Sequence, residues 1–286
     1  MHNAIRSVTA AVCLLVISAA GCVETPIDTE TVEEAVQAII EANREIETAC
    51  FDLTLTGTVR TENDGDVSEV LLTGSGAGTV DNTARRMHLS MTVRSRVAGQ
   101  PAVDLPLEYY LVDEWLYMGS CPSQEKPRWL KMRAPTDVWQ GQAQQQVQTL
   151  RSASEITYRG IEDIGDVACH VVAIVPDDAL TQQILRQTYG QLAPLGHHDH
   201  QSMDVAGIRG EVSVVQYVAA DSHLFVRTDQ HVVLEAVRDA AVTPDHCCDP
   251  TIYRLTTTMV FGNYGEPVTI QMPQGSLAAI EIGQSH

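Results

Sequence analysis

The chain has 286 residues, and its 37 acidic against 18 basic side chains leave a formal net charge of −19. That balance argues against nucleic-acid binding, which neutralises phosphates with Lys and Arg, and against adhesion to anionic lipid head groups. A hydrophobic share of 44% is that of a globular fold, and acidity of this size also keeps a chain soluble.

The first 21 residues read as a secretory signal. Arg6 supplies the positive start, and the apolar run from Val8 to Ile17 is shorter than the about 20 residues a bilayer span needs. Small residues Ser18-Ala19-Ala20-Gly21 then lead to Cys22. A cysteine at that point resembles the lipobox of prokaryotic lipoproteins, whose thiol receives a diacylglyceryl group and becomes the new N-terminus. The resemblance implies an extracytoplasmic chain anchored to the cell membrane at Cys22, with residues 1–21 as signal, 22–30 as lipidated tether and 31–286 as one domain. One acyl chain holds marginally and two or three hold firmly, at about 0.8 kcal/mol per buried CH₂. The tether Val23–Glu30 reaches about 27 Å when extended, at roughly 3.4 Å per residue.

Thr31–Ala49 reads as a helix, with Thr31 and Glu34 as a capping box and Val32, Ala35, Val36, Ile39, Ile40 and Ile46 as an apolar stripe. The period then becomes two. Phe51, Leu53, Leu55 and Val59 alternate with Asp52, Thr54 and Thr56, and Asn63-Asp64-Gly65-Asp66 is a turn. Val70 and Leu72 carry the next strand into Gly74, Gly76 and Gly78, which read as a bend or bulge. Met87, Leu89, Met91 and Val93 alternate in a third strand. Glu108–Val112 and Trp115–Met118 make a hairpin around Asp113-Glu114, and Trp129–Met132 adds a short strand. These segments predict an antiparallel meander with one apolar face.

Thr136–Ser154 reads as a glutamine-rich helix, and Asp177–Leu192 as a second one beyond the strands Ile156–Ile161 and Ala168–Val175. Ile208–Val218, Leu224–Val237, Ile252–Phe261 and Val268–Met272 return to strand. Consecutive strands without alternating helices point to an α+β fold with an antiparallel sheet. No linker demands a second domain.

Three segments, in this order, resemble the LolA-like lipoprotein-carrier superfamily, and within it the LppX/LprG-like group. Arg159–Val172 resembles its G-x-E-x-x-x-G turn between two strands. Val218–Arg227 resembles its Asp-containing hairpin. Phe261–Pro273 resembles its closing strand, Y-G/N-x-P-V-x-I-x-x-P. The resemblance implies an antiparallel sheet forming a half-open β-barrel, helices covering its concave face, and an apolar cavity between them that holds a lipid, glycolipid or lipoprotein for transport or sensing. It implies no catalytic activity and no cofactor. Candidates for the cavity lining are Phe51, Leu53, Leu55, Leu72, Met87, Leu89, Met91, Tyr109, Leu111 and Met132. The thioethers of Met87, Met91 and Met132 adapt to irregular ligands. The competing expectation is a solidly packed core and a non-catalytic interaction or sensor module. The family pattern does not explain the His-bearing stretch Leu195–Asp204 or the insertion Asp239–Pro250.

His197, His198 and His200, with His246, Cys247 and Cys248 further on, supply zinc-type ligands without the spacing of a zinc finger or an His-Glu-x-x-His helix, so no metal is expected. No nucleophile elbow, phosphate loop or dinucleotide fingerprint is present, and no enzymatic role is expected. Once Cys13 leaves with the signal and Cys22 is lipidated, Cys50, Cys121, Cys169, Cys247 and Cys248 remain. That odd number in an oxidising compartment allows one or two disulfides and one free thiol.

Overall fold

The computed structural model describes residues 29–63, 66–120, 128–134, 142–192, 205–238 and 251–281. Six strands follow the first helix, α1 (Thr29–Arg44): β1 (Thr48–Asn63), β2 (Asp66–Asp81), β3 (Arg86–Val97), β4 (Val103–Val112), β5 (Trp115–Ser120) and β6 (Arg128–Arg133). After α2 (Gln142–Arg151) come β7 (Ala153–Ile164) and β8 (Val167–Pro176). After α3 (Asp178–Leu192) come β9 (Val205–Ala219), β10 (Phe225–Arg238), β11 (Thr251–Gly262) and the two-residue β12 (Ile280–Glu281).

All twelve strands form one sheet, in the order β12-β6-β5-β4-β3-β2-β1-β11-β10-β9-β8-β7. The pairings are antiparallel except β12 on β6. The end strands β12 and β7 do not meet, so the sheet is open. The fold is thus α+β, an open, mostly antiparallel sheet with three α-helices among the described residues.

The inward positions of the alternating strands meet the helices. Ile39 and Ile40 of α1, Val147 and Leu150 of α2 and Leu185 of α3 join Phe51, Leu72, Val80, Val172, Ile174, Val214, Leu234, Leu255 and Phe261 in the main core. By area alone, each such side chain contributes about 1.5–3 kcal/mol. Helix α3 lies on β9 and β10, α2 on β7 and β8, and α1 against α2. Among the described residues, helix cover is therefore concentrated on β7–β10.

A second, smaller cluster sits on the outer face of β4–β6. Tyr110 and Trp129 pack with Ile270, flanked by Val112, Tyr117, Met272 and Ala279. The Trp129 indole lies on Gly119, where no Cβ would fit. The segment after β11 makes this contact by running as a strap. Gly265 N donates to Thr48 O at 3.0 Å, Ile270 inserts at Tyr110 and Trp129, and β12 pairs with β6.

Five expectations are corrected. Helix α1 ends at Arg44 because Thr48 already pairs with Asp81, so Ile46 and Ala49 lie beyond the helix. The helix begins at Thr29, which puts Thr31 inside its first turn and not at the cap. The glycine-rich part of β2 is neither bend nor bulge, since Gly74, Gly76 and Gly78 stay in unbroken register with β1 and β3. Val268–Met272 is irregular, because Ile270 is held by side-chain packing rather than by a ladder. The expected helix Thr136–Ser154 ends early, because α2 stops at Arg151 and β7 starts at Ala153, and its residues 136–141 lie outside the described residues. Asp177 caps α3, with Leu180 N donating to Asp177 Oδ1 at 2.8 Å.

Candidate functional site

The register decides which side chains share a face. Phe51 opposes Phe261 and Gly78, Leu53 opposes Met259 and Gly76, and Leu55 opposes Gly74. Met87, Leu89 and Met91 oppose Val80, Gly78 and Gly76 on one side and Leu111, Tyr109 and Leu107 on the other. Leu116 then links Leu111 to Met132. All ten candidate lining residues therefore point to the face that carries the helices.

Their burial divides them. Phe51, Leu72 and Leu111 are fully buried, at 4%, 3% and 2% exposure. Leu53, Leu55, Met87, Leu89, Met91, Tyr109 and Met132 are half-buried. Leu53, Leu55, Met87 and Leu89 rest against the main core, whereas Met91, Tyr109 and Met132 belong to neither core cluster. Sequence reasoning missed Leu105, Leu107, Leu116 and Met118, which are half-buried on the same face, and Leu130, which is exposed there. The alternation of Leu105 and Leu107 with Asp104, Pro106 and Glu108 is the signal that marks them.

The glycines shape this face. A Cβ at Gly78 would overlap the Phe51 ring, and one at Gly76 would meet Met91 and the Ser90 carbonyl. At Gly74 a Cβ would make ordinary contacts of 3.4 Å with Leu55, Met91 and Thr92. The middle of β2 is thus a furrow between the larger side chains of β1 and β3.

Charge is kept to the other face. Arg94 donates to Asp104 through Nε at 2.6 Å and Nη2 at 2.8 Å. Arg209 pairs with Glu235 at 2.6 Å and Arg227 with Asp229 at 2.7 Å. Glu108 accepts from Ser90 at 2.9 Å and lies 2.7 Å from His88 Nε2, whose ring stacks on Tyr110. None of the described side chains on the inner face from β4 to β11 is charged. Tyr109 brings a phenol there, and burial raises its pKa, so it stays a neutral donor. A shallow depression of about 410 Å³, lined by Thr73, Gly74, Ser75, Thr92, Arg94 and Asp104, lies on the polar outer side and does not suit an acyl chain.

Cys22, the His197–His200 stretch, Cys121, Cys247 and Cys248 lie outside the described residues. Cys50 and Cys169 are free thiols, and burial raises the Cys169 pKa. Among the described residues no group of three or more His, Cys, Asp or Glu could hold a metal, and no helix is long and apolar enough to cross a membrane.

No family model matches the chain, and no curated protein matches it. Solved structures do. LprF from Mycobacterium bovis is 12% identical, with a TM-score of 0.44 over 86% of this chain and 98% of that one. The lipoprotein LppX from Mycobacterium tuberculosis is 10% identical, with a TM-score of 0.39 over 85% and 100%. A LolA superfamily protein from Nitrosomonas europaea is 11% identical, with a TM-score of 0.18 over 83% and 94%.

Proposed function

We propose that this chain is an extracytoplasmic lipoprotein, tethered at Cys22, that holds an acyl-bearing ligand on the inner face of its sheet for transport or sensing near the membrane. The observation that carries the reading is the inner face of β1–β5, on which no described side chain is charged. Its apolar side chains are half-buried over a wide area, while the strap already fills the outer side of β4–β6. An apolar sheet face that the described helices leave without a packed cover is a place for a ligand. A sixteen-carbon chain laid there yields about 13 kcal/mol gross at about 0.8 kcal/mol per CH₂. Immobilisation then removes a large share of that gain. The ligand is a lipid, a glycolipid or an acylated protein, and the role is binding without catalysis.

A second reading draws on Phe51, Leu72 and Leu111, which are fully buried. In that reading the face is packed and the protein is an interaction or sensor module. Organic extraction of the purified chain followed by mass spectrometry separates the two. Copurified acyl lipid supports the carrier, and a lipid-free protein that also ignores a fluorescent fatty acid supports the module.

A further inference from the structure

One register row crosses the inner face from strand to strand. It runs Gln216 on β9, Thr228 on β10, Met259 on β11, Leu53 on β1, Gly76 on β2, Met91 on β3 and Leu107 on β4. From Thr228 to Leu107 that is five inter-strand steps, about 24 Å along the curved sheet at about 4.8 Å each. The row is half-buried and apolar at one end and ends at the other in two polar groups that lack partners.

Those two groups are unusual. Gln216 is 0% exposed and Thr228 is 1% exposed. Gln216 Nε2 donates to the Gln146 backbone carbonyl at 3.1 Å and to Gln146 Oε1 at 3.0 Å. The backbone carbonyl fixes which way the Gln216 amide points. Gln216 Oε1 and Thr228 Oγ1 are left without any hydrogen bond. A buried polar atom left unpaired costs about 1–3 kcal/mol, so such atoms mark a missing partner. Their same-face neighbours Val172, Val214, Val218, Met259 and Gln230 carry no charge, and Tyr158, beyond Val172 in the same row, is bonded to His170 at 2.9 Å.

We infer that the Gln216–Thr228 pair receives the polar end of the acyl ligand and selects a neutral head that both donates and accepts hydrogen bonds, an amide or a hydroxyl. The inference rests on the acyl-binding reading and adds the head-group class. Gln216 Oε1 can only accept, so an ester leaves it unsatisfied. An ionised carboxylate has no cation to meet it, and burying an unpaired charge costs far more than burying a neutral dipole. Met259 is 8% exposed and stands in the row between Thr228 and the half-buried Leu53. Its flexible thioether closes the path when no ligand is present, and the entering head displaces it.

The test uses hexadecanamide, hexadecanol, methyl hexadecanoate and hexadecanoate at pH 8, each displacing diphenylhexatriene from the purified chain. The amide and the alcohol bind about tenfold tighter than the ester and the carboxylate. Thr228→Val abolishes that preference, and the melting temperature holds or rises because an unpaired hydroxyl has gone. Met259→Ala speeds association of the amide. Equal affinities for all four heads, or a preference that survives Thr228→Val, overturn the inference, and the pair then holds an internal water only. Failure of the wild-type chain to bind diphenylhexatriene at all is a separate result, which removes the acyl-binding reading itself.

Discussion

Phe51 and Gly78 face each other in register across β1 and β2, and the Phe51 ring occupies the space that a side chain at position 78 would need. Phe51 also approaches Phe261 with ring centroids 6.4 Å apart, so it cannot swing away freely. Gly78→Ala therefore overpacks the core and costs about 1–3 kcal/mol in urea unfolding. Gly74→Ala, four residues earlier on the same face, meets its neighbours at ordinary distance and changes stability by less than about 0.5 kcal/mol. Equal costs at the two positions would show that the furrow is not shaped by Phe51.

Asn43 ties α1 to the β9–β10 turn. Its Nδ2 donates to Ile39 O at 2.8 Å and to His223 O at 2.7 Å, and its Oδ1 accepts from Phe225 N at 3.3 Å. Asn43→Ala leaves buried backbone groups unpaired and lowers stability by about 2 kcal/mol. Asn43→Asp costs more, because a carboxylate then faces two carbonyl oxygens. Chemical denaturation of both variants checks the order.

The strap holds the β4–β6 half of the sheet from outside. Ile270→Ala leaves a cavity beside Tyr110 and Trp129 and costs about 2–4 kcal/mol. The loss shows in the tryptophan fluorescence transition. An unchanged midpoint would mean that the strap only rests on the sheet.

Asp104 and Glu235 titrate lower in the folded chain than in the unfolded one, because Arg94 and Arg209 donate to them. A depressed carboxylate stabilises the fold above its unfolded value and loses that contribution as pH falls through the folded value. With reference values of 3.8 and 4.5, the loss begins as pH drops below about 5. Asp104→Asn combined with Glu235→Gln gives a shallower fall of the urea midpoint below that pH. Both pairs are exposed, so the difference is small and shrinks further in salt.

The meander was legible because alternation is strict in Phe51–Val59 and Met87–Val93, and because Asn63–Asp66, Asp113-Glu114 and Gly165-Asp166 are strong turn signals. Those same alternations gave the face on which all ten candidate lining residues fall. The glycines of β2 were misread because a glycine's local signal is a bend, whereas the reason for these lies in Phe51 and Met91 on neighbouring strands. Val268–Met272 has strand-like residues, but tertiary packing of Ile270 overrode that preference. The unpaired Gln216 and Thr228 could not be seen from the sequence. Polar residues inside β9 and β10 reveal their burial only once the fold lays the helices over those strands.

The central claim is that the inner face of β1–β6 holds an acyl chain. Titration of a fluorescent acyl probe into the wild-type chain, Met91→Asp and Thr92→Asp tests it directly, since these adjacent positions on β3 face opposite sides of the sheet. Saturable binding to the wild type and Thr92→Asp, with at least about a tenfold loss in Met91→Asp and cooperative unfolding retained by all three, is the predicted result. No saturable binding to the wild type, or equal affinity in the two variants, would contradict it.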